Sequence, residues 1–500
     1  MRGELLTVRG DATGSAGRHR QPGAGLASAR GACLRTLSRR CRAASLAVAY
    51  AASSVLGATA VAAQGLPLIR DAEIENLLKD YSRPIFKAAG LGSQNISMRI
   101  IRHESFNAFV VDGRNVFINT GTLAQAKTPN EVIGVIAHES GHITGGHLAQ
   151  LRARIARDQT KAILLTVLGI GLMVGGAVSG GDTAREVGGA GGGLAMGGNE
   201  MIMRSLLSER RAQESAADQA GLRYLEATKQ SGQGMLETFE RFAQQEYISA
   251  TYQDPFVRSH PIATDRLAQL RNRVAASPYA SAKDPPELQL RHDMMRAKLH
   301  GFMDRPDTLA RAYPPSDTSL AARYARAIAA YRYGSVQGSI QQIDALIASQ
   351  PGNPYFHELK GQALLEAGRP AEAVGPLRQA IAHAPNPTLI QVMLGQALTA
   401  TGNPALTDEA VRNLTAAINR DPDITDAYTN LAMAYGKKGD LAQADLASAQ
   451  AAFTRGDFMT ARQLAVRAKG RFAVGTPGWV KADDIAAFKA PAAAMQVNRR

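Results

Sequence analysis

The stretch Glu131 to Leu148 reads E-V-I-G-V-I-A-H-E-S-G-H-I-T-G-G-H-L and contains an H-E-x-x-H at His138-Glu139-Ser140-Gly141-His142. On a helix, residues four apart share a face. His138 and His142 can therefore offer two imidazoles to one metal ion, with Glu139 beside it as a base. Two histidines leave a catalytic zinc ion short, because such a site takes three protein ligands and a water. One solution places a third histidine after H-E-x-x-H-x-x-G-x-x. Gly145 matches that glycine, but the ligand position holds Leu148. His147 falls one residue early, where a continuing helix would turn it away from the metal face, so a structural role is expected for it. The other solution takes a glutamate from a later helix, and Glu214-Ser215-Ala216-Ala217-Asp218 supplies one. Glu214 would bind the metal, while Asp218, one turn on, would accept the free ring N–H of a ligand histidine. An isolated E-x-x-x-D is most often a solvated acidic face, and this one gains its weight from the H-E-x-x-H. In peptide hydrolysis Glu139 would take a proton from the attacking water and pass one to the leaving amine. The developing oxyanion needs a further donor. His260, followed by Pro261, is the best candidate; the alternatives are a fourth, water-displacing metal ligand at rest, or a surface loop histidine.

These groups need elements to hold them. Thr128-Pro129-Asn130-Glu131 is a capping box with proline at the first helical position, and the apolar Val132, Ile133, Val135 and Ile136 predict a buried helix. Upstream, Leu68–Gly90 has the apolar spacing of an amphipathic helix. Ile96–Ile101 and Asn107–Val111 alternate like strands, and the Asp112-Gly113 turn leads to a return strand at Val116–Asn119. An edge strand beside a metal helix can pair with an extended peptide; an ordinary core hairpin is the plainer reading. Ala162–Val178 is seventeen residues without a charge, followed by the glycine-rich Gly188–Gly198. It reads as a buried helix with a glycine loop, a lid, or a segment that dips into a membrane. Ser208–Leu225 is a strong helix former, Asp265 to about Arg273 resumes a helix, Pro285-Pro286 marks a boundary, and Glu287–Arg311 reads as helical.

From about Leu320 the chain repeats. Ala327, Gly361, Gly395 and Ala432 are equivalent small positions, and Gly368, Gly402 and Gly439 are turns. A helix–turn–helix period of about 34 residues is the tetratricopeptide signature, whose stacked units offer a concave face to peptides. One interval is three residues longer, which places an extended turn near Asn403–Thr407.

The chain is 500 residues long with a formal charge of +14. Residues 1–63 hold nine arginines against Glu4 and Asp11, half of that surplus. The remainder mixes both signs without stacking aromatics, so no nucleic-acid site is expected. Arginines up to Arg42, the apolar run Ala43–Ala63 and the small residues at its end predict an export signal cleaved near Ala63. Cys33 and Cys41 are the only cysteines and lie in that presequence, so no disulfide or thiolate site is expected beyond it.

Asn107-Ala108-Phe109, Thr120-Gly121-Thr122-Leu123, the H-E-x-x-H, Glu214-Ser215-Ala216-Ala217-Asp218 and Ser259-His260-Pro261 with Arg266 occur in the order seen in HtpX-type gluzincin metallopeptidases, and the chain resembles that family over most of its length. The resemblance implies one Zn2+ held by His138, His142 and Glu214, with Glu139 catalytic, Asp218 supporting, and His260 and Arg266 near the active site. It implies an α+β zincin-like metallopeptidase domain, mostly helical with a small sheet, followed by an all-α tetratricopeptide-repeat solenoid. The expected divisions are a presequence 1–63, a peptidase domain 64–285, a helical linker 286–319, repeats 320–470 and a tail 471–500 without assigned role. The implied function is periplasmic quality control: degradation of unfolded or misassembled outer-membrane proteins, with the repeats recruiting substrates or assembly machinery and peripheral membrane contact through Ala162–Val178 left open. The alternatives are a repeat-based chaperone with latent protease activity, and an integral membrane protease.

Overall fold

The computed structural model describes residues 67–111, 113–154, 208–243, 260–261 and 264–489. The presequence, Ala162–Val178, Gly188–Gly198, Arg258-Ser259 and the last eleven residues lie outside the described residues. Among the described residues, no helix is long and apolar enough to cross a membrane.

The peptidase half opens with strand β1 (Leu68–Ile69) and helix α1 (Ala72–Ala88). The helix expected from Leu68 starts four residues late because Asp71 caps it, accepting from Ile74 N–H, while Leu68 and Ile69 pair instead with Ile101 and Ile100. Strands β2 (Ser97–Ile101), β3 (Ala108–Val110) and β4 (Asn115–Asn119) complete a sheet of order β1-β2-β4-β3. The β3–β4 hairpin is antiparallel and β2–β4 parallel, so β1 and β3 are the two edges.

After α2 (Thr120–Gln125), the metal helix α3 (Pro129–Thr144) starts at the expected box. Thr128 Oγ1 accepts from Glu131 N–H at 3.3 Å and Glu131 Oε1 accepts from Lys127 N–H at 3.0 Å. Every residue from Pro129 to Gly141 is buried, because α1 and the sheet, α5 (residues 208–227) and α6 (Gln233–Ala243) enclose the helix. α3 does not continue to His147. It ends at Thr144, and Gly146 takes the left-handed φ of +61° before a new helix, α4, runs over residues 147–154. α7 (Thr264–Ala276) closes this core.

α8 (Pro286–Met303) serves both halves: Met295 and Leu299 enter the peptidase core, and Met294 and Ala297 enter the first core of the repeats. The short α9 (Pro306–Ala312) leads into the repeats. Helices α10 to α19 (Leu320–Tyr333, Val336–Ser349, Pro354–Glu366, Pro370–His383, Thr388–Ala400, Thr407–Arg420, Thr425–Lys438, Leu441–Thr454, Phe458–Lys469 and Pro477–Ala487) form five successive pairs. A Cβ on Gly361 would lie 2.5 Å from Leu377, and one on Gly395 2.4 Å from Leu414, so the period marks where helices touch. The extra residues of the longer interval form the 3-10 turn Pro404–Leu406. The helical stack runs past residue 470: Trp479 in α19 lies under the Lys469 ammonium of α18 at 4.5 Å.

The repeats are tied to the peptidase half by charge. Arg70 reaches Asp421 at 2.6 Å and Arg99 reaches Asp423 at 2.8 Å. Buried Lys298 pairs with Asp71 at 2.8 Å and Glu73 at 3.2 Å, and Tyr324 donates to Glu73.

Candidate metal centre

Helix α3 carries His138, Glu139 and His142; α5 carries Glu214 and Asp218; the segment before α7 brings His260. Small residues let α3 and α5 touch. Gly141 faces Ala217, and Gly221 faces Ala137, with no room for a further carbon at the first contact. This close crossing places the α5 carboxylates against the α3 imidazoles.

His138, His142, Glu214 and His260 bring one donor atom each to within 4.8 Å of one another. His138 Nε2 lies 3.1 Å from His142 Nε2, 3.2 Å from His260 Nδ1 and 3.4 Å from Glu214 Oε2. Glu214 is 3.5 Å from His142 Nε2 and 3.2 Å from His260 Nδ1. A tetrahedron whose bonds are about 2.0–2.1 Å long has edges of about 3.3 Å. The five separations of 3.1–3.5 Å among these donors, three imidazole nitrogens and a carboxylate with His142 half-buried and the others buried, therefore suit a small metal ion. Glu139 is fully buried beside it, with Oε1 lacking any hydrogen-bond partner and His260 Nε2 3.3 Å away.

Support for these donors is unequal. His138 Nδ1 faces Asp218 Oδ1 at 2.9 Å, a close ion-pair distance. Asp218 is gripped by the Arg266 guanidinium through two nitrogens, one of them at 2.8 Å. Arg266 also touches Glu214 at 3.1 Å, donates to Pro261 C=O at 2.7 Å, and lies over the Phe239 ring. His142 instead meets His147: their Nδ1 atoms are 3.0 Å apart. His260 Nε2 lies 3.3 Å from Ala108 C=O on edge strand β3, which turns Nδ1 toward the cluster.

The electrostatics follow this geometry. Burial alone would lower His138, but the Asp218 and Glu214 carboxylates outweigh it and hold it at about 9 without metal. Burial takes His142 down to about 4, leaving it neutral and free to ligate. Burial also lowers His147. Burial pushes Glu139 up, partly countered by His260 and His138, which makes it a better proton acceptor than an exposed carboxylate. Burial would raise Glu214 and Asp218, yet the surrounding histidines and Arg266 keep both low and ionised.

Every site residue expected from sequence thus lies in one cluster: His138, Glu139, His142, Glu214, Asp218, His260 and Arg266. His147 does not turn away as expected but packs on His142, because α3 breaks at Gly145-Gly146; that glycine pair was the available signal. Phe239, stacked edge-on to His138 at 5.4 Å, carried no signal in the sequence.

Residues 69–274 match the family model described as Peptidase family M48, and residues 324–388 and 358–406 match that described as Tetratricopeptide repeat. The chain therefore carries an M48 peptidase domain, a metallopeptidase class, followed by tetratricopeptide repeats. It is similar to the beta-barrel assembly-enhancing protease of Yersinia pestis, 24% identical over 331 residues, covering 65% of each chain. It is similar also to the protein of that name from Escherichia coli (strain K12), 25% identical over 335 residues, covering 65% of this chain and 64% of the relative. The chain thus spans just under two thirds of the length of the curated relatives it matches. Metalloprotease LoiP of Escherichia coli (strain K12) is 24% identical over 186 residues, 37% of this chain and 66% of that one.

Proposed function

We propose that the chain is a zinc-dependent endopeptidase of the cell envelope that cuts unfolded or misassembled proteins, outer-membrane proteins among them. The observation that carries this is the close set of imidazole and carboxylate donors with the buried Glu139 carboxylate beside it. Among small ions, imidazole and carboxylate donors in tetrahedral array favour zinc. A bound zinc supplies Lewis acidity toward water and a peptide carbonyl. Glu139 takes the proton of the attacking water and delivers it to the leaving amine. Asp218 and Arg266 hold His138 in place, and edge strand β3 offers its backbone to an extended substrate.

The repeats serve recruitment on this reading. Together with β1 they line an open cavity of about 1000 Å³ in which Leu389, Val392, Met393 and Met433 alternate with charged residues such as Arg332, Glu358 and Asp426. Pro67 C=O accepts from Arg102 N–H, which by register leaves the main-chain N–H and C=O of Leu68 on the free side of β1, at that cavity. An extended segment carrying both apolar and polar side chains suits such a wall. The names of the relatives support outer-membrane assembly machinery as a further partner. The arginine-led apolar run ending at Ala63 supports export to the periplasm, and the uncharged Ala162–Val178 supports peripheral membrane contact.

Glu139→Gln is the test. Zinc content should persist while casein cleavage falls by a factor of about 100 or more; a variant as fast as the parent refutes the enzyme reading. A second reading, a repeat-based chaperone with latent proteolysis, is favoured by one observation: His260 Nδ1 occupies the fourth corner of the donor set, where a water would sit. His260→Ala separates gate from donor. A gate predicts faster casein cleavage, a transition-state donor slower cleavage.

A further inference from the structure

We propose that His147 is a positioning residue of the metal centre: its imidazole accepts the Nδ1–H of His142 and so fixes that ligand's tautomer and tilt. The inference rests on His142 binding the metal. His142 turns Nε2 toward the other donors, 3.1 Å from His138 Nε2 and 3.5 Å from Glu214 Oε1. Its proton therefore belongs on Nδ1, which faces His147 Nδ1 at 3.0 Å with the rings edge-to-face at 83°. Two nitrogens at that distance share one hydrogen, so His147 keeps its own proton on Nε2 and presents a lone pair.

The backbone is shaped for this contact. α3 stops at Thr144, and Gly146 adopts φ +61°, which folds the chain back toward the centre. The His147 ring then lies over Gly145, where a Cβ would sit 2.2 Å from its Nε2. Both glycines are needed to seat one imidazole, and His147 is buried there. The two ligand histidines are thereby held differently. His138 leans on a carboxylate, which adds electron density to its ring. His142 leans on an uncharged acceptor, which orients it without adding charge to the centre.

The test is zinc affinity of the full chain by chelator competition, with the visible spectrum of the cobalt(II)-loaded chain as a second readout. His147→Ala should weaken zinc binding about 10- to 100-fold and shift the cobalt spectrum. His147→Asn, which restores an acceptor, should recover part of the loss. Gly145→Ala should mimic His147→Ala by displacing the ring, and the double variant should be no weaker than His147→Ala alone, because both remove one contact. Unchanged zinc affinity in His147→Ala, even with a lowered melting temperature, overturns the proposal, as does full additivity of the two losses. A parent chain that binds no zinc sinks the metal reading itself, which separates that failure from this one.

Discussion

Gly141→Ala is the sharpest probe of how the metal centre is assembled. A Cβ at residue 141 would lie 2.6 Å from the Ala217 carbonyl oxygen and 2.8 Å from its Cα, where ordinary contact begins near 3.4 Å. The obstacle is helix backbone, so no side chain can swing aside, and α3 and α5 must part by about 0.8 Å. Ala217 lies between Glu214 and Asp218, so both carboxylates travel with it. Metal bonds tolerate about 0.2 Å. Glu214 would leave its ligating position, and zinc affinity should fall at least about 100-fold. Overpacking costs about 1–3 kcal/mol, offset by up to about 1 kcal/mol from the better helix propensity of alanine. The net cost, about 0–3 kcal/mol, should then lower the melting temperature by no more than about 12 °C in a domain of this size. Gly134→Ala is the control. Its Cβ would press on Met235 at 2.8 Å, which parts α3 from α6 and not from α5, the helix that carries Glu214 and Asp218. It should lose comparable stability and keep its zinc. The assay is chelator competition beside thermal melting. If Gly141→Ala binds zinc as tightly as the parent, or if Gly134→Ala loses as much affinity, the close helix crossing does not set the ligand geometry.

Arg266→Met should destabilise the metal-free chain by about 3–5 kcal/mol in urea unfolding, because it strands two buried carboxylates. Burial pushes Asp218 up, but Arg266 and His138 hold it below its ordinary value; that stabilisation exists above about pH 4 and disappears as the pH falls, so the gap between variant and parent should narrow in acid. At the junction, burial raises Glu358 to about 8 despite the pull of Lys298, so the parent should lose stability as pH rises from about 4.3 to 8. Glu358→Gln should therefore melt like the parent near pH 5 and be more stable by about 1 kcal/mol or more at pH 8.5; a variant weaker at both pH values refutes this. Met393→Glu should raise KM for casein several-fold through the repeat cavity while leaving hydrolysis of a short peptide unchanged, and equal effects on both would detach the cavity from substrate binding.

The donors were legible in the sequence because their spacing is local. His138 and His142 obey one helical period, Glu214 and Asp218 another, and Thr128 to Glu131 announces where the first helix starts. Gly361 and Gly395 mark helix contacts for the same reason. What escaped was non-local or depended on a break in a period. Leu68 and Ile69 look like the first turn of α1, and only pairing with residues thirty positions away makes them a strand. His147 departs from the helical period because that period ends at Gly145-Gly146, where the chain turns. The junction is not legible in the sequence: Glu73, Lys298 and Glu358 are charged residues on helices, where a charge reads as part of a solvated face, and only the docking of the repeats buries them together with Tyr324.

That docking gives the sheet two working edges. β3 borders the metal centre, where Ala108 C=O meets His260, and β1 borders the repeat cavity. Substrate strands paired outside the two edges would be five strand spacings apart, about 24 Å, and an extended chain rises about 3.3 Å per residue. On the proposed reading, a substrate held at β1 while its scissile bond lies along β3 must contribute at least about seven unstructured residues between the two. A folded domain cannot yield such a span without unfolding locally, whereas a misassembled chain offers it at once. Preference for unfolded protein then arises from the separation of two edges rather than from side-chain pockets at the metal, and cleavage sites should lie in stretches with no common sequence.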